Sequence, residues 1–80
     1  MNTSIEKLRA TFAESLGLPL SEINDALTYN SVAQWDSVAH MALVAAIEDA
    51  FDILIDTEDV IDLSSFGKAQ TILTKYGVTF

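Results

Sequence analysis

The sequence predicts an all-α fold: a small four-helix bundle with three principal helices and a short third helix. Three observations carry this reading. Apolar residues recur at spacings of three and four along the main stretches, which is the period of an α-helix. Capping residues stand before those stretches, and glycines stand after two of them. Period-two alternation is weak everywhere except Ile53 to Ile55.

The elements follow in order. Thr3-Ser4-Ile5-Glu6 matches a capping box, and Ile5, Leu8, Phe12 and Leu16 form one stripe of a first helix from about Ser4 to Leu16. Gly17 is a natural stop, because glycine takes the left-handed C-terminal conformation at little cost. Leu18 to Trp35 is a long connection rich in turn formers, with one short helical turn at Ser21 to Asn24. Ile23, Leu27, Tyr29 and Val32 are too apolar for a free loop and should pin it across the core. Asp36 or Ser37 opens the strongest helix, which runs to about Asp52. Ile53, Leu54 and Ile55 form a short apolar link. Asp56-Thr57-Glu58-Asp59 reads as the capped, acidic start of a short third helix ending near Leu63. Ser64 or Ser65 can cap the last helix, whose stripe of Phe66, Ala69, Ile72, Leu73 and Tyr76 is closed by Gly77.

Composition narrows the function. Eighty residues make a single domain over 1–80, able to bury about 60–65% of its unfolded surface. There is no cysteine, hence no disulfide, no cysteine-ligated metal and no thiol belonging to the chain itself. The net charge is −8, which argues against nucleic acid and for basic protein partners. Met1 to Leu8 lack the layout of a signal peptide, and Val38 to Ile47 is far below the ~20 apolar residues of a membrane span. The expectation is a soluble, monomeric, cytoplasmic domain. Its charge is unevenly placed: −2 up to Trp35, −8 from Asp36 to Asp62 with no base at all, and +2 thereafter. Function should sit in the acidic centre.

On a helical wheel at ~100° per residue, Leu43, Val44, Ile47, Ala50 and Phe51 of helix two share one arc and must face the core. The opposite arc holds Ser37, Val38, Met41, Ala45, Glu48, Asp49 and Asp52. Its apolar members, Val38, Met41 and Ala45, either pack on the long loop or form a docking strip steered by the flanking acids. Ser37 is either an ordinary helix cap or, with Asp36 capping in its place, a free hydroxyl at the positive end of a helix dipole. A phosphate ester there would meet unsatisfied backbone N–H groups. His40 lies three residues on, but nothing is placed to orient it and no oxyanion site is evident, so a Ser–His nucleophile is disfavoured. His40 reads better as a partly buried structural residue. A calcium loop begun at Asp56 puts Ile61 where glycine is needed and Gly67 where a bidentate acid is needed, so that motif fails and the acids read as a solvated or partner-facing surface.

The segment Trp35-Asp36-Ser37-Val38 through Ala50-Phe51-Asp52-Ile53 resembles the centre of the acyl carrier protein family, in which an Asp-Ser-Leu motif opens an acid-ended second helix. The likeness extends over the whole chain in length, acidity and element order. It implies an acyl-carrier-like bundle, and implies that 4′-phosphopantetheine is esterified to Ser37 by a transferase using coenzyme A and magnesium. The arm's thiol would hold an acyl or aminoacyl group as a thioester for successive enzymes, so the chain would not itself be an enzyme. Asp36, Val38, Met41, Glu48 and Asp49 would then contact the phosphopantetheinyl transferase, a loading ligase and downstream synthase or transferase enzymes. Ile55 and Glu58 occupy places where the family touches partners or cargo. Val38 replaces the usual Leu, Gln34-Trp35 replaces a glycine-containing turn, and Ala39 and Ala42 fall where fatty-acid carriers often have acids. The Trp-Asp-Ser form is familiar among free-standing carriers, and the less acidic upper helix at Ala39 and Ala42 points to a dedicated carrier in a specialised fatty-acid- or polyketide-like pathway. The alternative reading is an unmodified acidic helical domain that binds a basic partner through helix two.

Overall fold

A computed structural model of the chain describes residues 4–80. The order is α1 (Ser4–Leu16), a 3-10 turn (Leu20–Glu22), α2 (Ser37–Phe51), α3 (Thr57–Asp62) and α4 (Phe66–Lys75). This is the all-α four-helix arrangement that the periodicity predicts, with α3 the short member. The capping box cannot be followed to its start, because Thr3 lies outside the described residues.

The stripes close on one core. Leu8, Phe12 and Leu16 of α1 meet Leu43 and Ile47 of α2 and Phe66, Ala69, Ile72 and Leu73 of α4, all buried. Phe12 stands edge-on to Phe66 at 5.1 Å and to Trp35 at 5.6 Å between ring centroids. Such edge-to-face pairs add about 0.5–1.5 kcal/mol beyond area burial. Trp35, at the end of the long connection, is also fully buried, beyond the four residues expected to pin that segment.

The long connection is anchored as expected at Ile23 and Leu27, both buried. It is also stitched to the start of α4: Tyr29 N–H donates to the Ser64 carbonyl (2.7 Å) and Phe66 N–H to the Leu27 carbonyl (3.1 Å). Tyr29 itself is 40% exposed and lies on the aromatic cluster's rim instead of in the core. Its phenol is therefore not one of the loop's core pins.

Helix ends explain themselves chemically. Gly17 (φ +68°) and Gly77 (φ +90°) end α1 and α4 in the left-handed conformation, and the next N–H reaches back five residues, Leu18 to Ala13 and Val78 to Leu73. α2 ends the same way with Ile53 N–H on the Glu48 carbonyl, but there the left-handed residue is Asp52 (φ +55°). Ser65 caps α4 by accepting from Lys68 N–H, which decides between the two candidate serines.

The start of α3 corrects the sequence reading. Asp56 occupies the cap position but its side chain accepts no cap bond. Its backbone N–H instead donates to the Tyr76 hydroxyl (2.9 Å). Asp59 is buried, not solvated: it accepts from Lys75 Nζ and from the Tyr76 hydroxyl, both at 2.6 Å. These bonds hold its carboxyl below the ordinary carboxylate range, Lys75 first and Tyr76 second, and the same Asp59 bond raises Lys75. One acid thus fastens α3 to the end of α4. No described helix is long and apolar enough to cross a membrane.

Candidate functional site

The site begins in the turn before α2. Ser31 Oγ donates to the Thr28 carbonyl and accepts from Thr28 N–H, and Asn30 (φ +66°) donates its N–H to the Trp35 carbonyl. Trp35 N–H donates to the Val32 carbonyl. The chain therefore arrives at Asp36 already fixed.

Asp36 is the cap. Its Oδ1 accepts Ala39 N–H at 2.8 Å, and its carbonyl accepts His40 N–H at 2.8 Å. Ser37, the first residue of α2, is consequently released from capping and exposed. Its hydroxyl has no hydrogen-bond partner among the described residues, and neither have the Ser37 and Val38 N–H groups. Free donors at the positive end of a 15-residue helix favour an anion. A phosphodiester on Ser37 Oγ would lie beside those donors and open to solvent, so the residues present suit such a group.

His40 is half-buried and both ring nitrogens are engaged. Trp35 Nε1–H donates to Nδ1 at 3.0 Å, and Nε2 lies 2.8 Å from the Val60 carbonyl. That bonding leaves no ring nitrogen to serve Ser37 as a base in this arrangement, in keeping with the structural role read from the sequence.

The outer face of α2 is open. Val38 is 79% and Met41 59% exposed, and Ala45 and Asp49 are exposed too, so the apolar strip does not pack on the long loop. Ser37, Val38, Met41, Ala45 and Asp49 share one face by helical spacing, with the carboxylates at its far end. A surface groove of about 610 Å³ continues this face, lined by Ala45, Glu48, Asp49, Asp52, Ile53 and Leu54. Leu54 (82% exposed) and Ile61 (77%) are apolar surface that the sequence reading missed. The alternation at Ile53 to Ile55 was the signal for Leu54, because it buries Ile55 and turns Leu54 outward.

Two expected contact residues sit differently. Ile55 is 8% exposed within the core, so it offers partners no surface. Glu48 is half-buried and its Oε2 accepts Ile55 N–H at 2.9 Å, making it a clasp of the α2–α3 link as well as an acid. Glu58 is exposed in the first turn of α3. Among the described residues no group of three His, Asp or Glu side chains could hold a metal ion. A family model described as the phosphopantetheine attachment site matches residues 6–69, from the first turn of α1 into α4.

Proposed function

The chain belongs to the phosphopantetheine attachment family and carries 4′-phosphopantetheine covalently, and on that premise we propose that Ser37 is the attachment residue of a dedicated acyl or aminoacyl carrier. The observation that supports this most is the transfer of capping duty to Asp36, which leaves an exposed hydroxyl at the head of α2. When bound, the arm supplies the thiol that this cysteine-free chain lacks and on which cargo is held as a thioester.

The chain's own residues do three things in this reading. Asp36 and the turn behind it hold Ser37 Oγ outward, where a transferase using coenzyme A and magnesium can reach it. The Ser37 and Val38 N–H groups and the helix dipole favour the phosphate's negative charge. Val38, Met41 and Asp49, with Glu48 and Glu58 nearby in sequence, meet apolar and basic surfaces of the transferase, a loading ligase and downstream synthases. Tethering raises the effective concentration of cargo for whichever enzyme has docked. We assign the chain to a specialised fatty-acid- or polyketide-like pathway in the cytoplasm, where coenzyme A is at hand.

The test is intact mass after incubation with a broad-specificity phosphopantetheinyl transferase, coenzyme A and magnesium. The expected result is a gain of one phosphopantetheine that Ser37→Ala abolishes. An unchanged gain in Ser37→Ala would remove Ser37 from the role.

A further inference from the structure

Resting on Ser37 as the attachment residue, we infer that His40 is its positioning residue, a neutral imidazole that ties the head of α2 to the preceding turn and to α3. The indole N–H of Trp35 can only donate, so at 3.0 Å it requires Nδ1 of His40 to be unprotonated. The ring proton then resides on Nε2, which donates to the Val60 carbonyl at 2.8 Å. One tautomer satisfies both bonds, and no buried side-chain nitrogen or oxygen among the described residues lacks a partner.

The placement matters because of what lies between the anchors. His40 N–H holds the Asp36 carbonyl while its ring holds Trp35, so one residue fixes both positions immediately before Ser37. The imidazole lies within 20° of the Trp35 indole plane, as an in-plane N–H···N bond favours, and Tyr29 stands edge-on to it at 5.4 Å between centroids. Its other nitrogen reaches α3 across twenty residues of sequence. Displacing α3 therefore pulls on the same ring that sets the helix head. His40 touches neither the hydroxyl nor any reacting atom. It acts through Trp35 and Asp36, by fixing the direction in which Ser37 Oγ is presented.

This makes a distinction that simple stabilisation would not. In this reading loss of the ring changes the angle of Ser37 and removes no atom of the exposed docking strip of Val38 and Met41. Loss of the ring should therefore lower kcat of transferase loading and leave KM nearly unchanged. Glutamine can accept from Trp35 through Oε1 and donate to Val60 through Nε2, so it should restore the tie.

The experiment is transferase loading of the full chain, followed by intact mass, with Trp35 fluorescence as a second readout. His40→Ala is expected to lower kcat about tenfold with KM within about twofold, and to shift the emission of the single tryptophan to longer wavelength. His40→Gln should recover kcat to within about threefold and restore the emission. Trp35→Phe, which keeps a ring but removes the donor, should lower kcat in the same sense and combine non-additively with His40→Ala. Folded His40→Ala loading at the wild-type kcat would overturn the role, as would folded His40→Gln behaving like alanine. If His40→Ala does not fold, an unchanged kcat in Trp35→Phe overturns it. Absence of any mass gain on the wild type would instead remove the Ser37 reading, and the positioning role with it.

Discussion

The two ends of α2 are built on opposite terms. At its head, the Asp36 carboxylate sits where the helix dipole favours negative charge, accepts Ala39 N–H, and is flanked by the Trp35–His40 bond. At its tail, Glu48, Asp49 and Asp52 place carboxylates where the dipole is negative, and no base stands in the last turn. Such a charge costs about 0.3–1 kcal/mol at an exposed helix end. Asp52 also adopts the left-handed conformation that glycine fills at Gly17 and Gly77. Among the described residues, only the Glu48 carboxylate of these three accepts a hydrogen bond, from Ile55 N–H. The head is arranged to hold geometry, and the tail to present charge at some cost in stability.

The contrast can be broken most severely at the head. Trp35→Ala is expected to cost about 3–5 kcal/mol in chemical denaturation, because it empties a fully buried site between Phe12 and His40. Met41→Ala on the exposed strip should change stability by less than about 0.5 kcal/mol; a comparable loss there would mean that the strip is packed. Asp36→Ala should cost about 1 kcal/mol, the usual worth of an N-cap.

At the tail the sign should reverse. Asp49→Lys replaces an anion by a cation at the negative end of the dipole and should gain about 0.5–1 kcal/mol. The same change should slow association with a basic client, most visibly at low salt. A variant both more stable and equally fast to dock would undo the division between the two ends.

At α3 the expected effect depends on pH. The folded state holds Asp59 below its unfolded carboxyl range, so its contribution is full above about pH 5 and is lost as pH falls through the folded value. Asp59→Asn should therefore flatten the acid limb of the stability profile, measured by denaturation between about pH 3 and 6. An unchanged acid limb would show that the Lys75–Asp59–Tyr76 contacts carry no pH-dependent stability.

Much of this was legible in local sequence. Periodicity and capping placed α1, α2 and α4 because their stripes and end residues act within one or two turns. The exposed strip and the free serine were also readable, since Asp36 competes with Ser37 for a single capping role. What was not legible depends on contacts distant in sequence. Trp35 is buried because Phe12, Tyr29 and His40 converge on it from three elements. Asp59 is buried because α4 brings Lys75 and Tyr76 to it from 16 and 17 residues away. Ile55 and Leu54 exchange the importance first given to them, because a link between helices fixes its facing through the packing at its two ends.

The central claim is that the arm sits on Ser37 and on no other residue of this chain. Backbone fragmentation of the phosphopantetheine-loaded protein in a mass spectrometer tests it directly, because seven serines compete for the same increment. The expected result is unmodified fragments ending before Ser37 and the full increment on every fragment that includes it. The increment on Ser31, Ser64, Ser65 or any other residue would contradict the account.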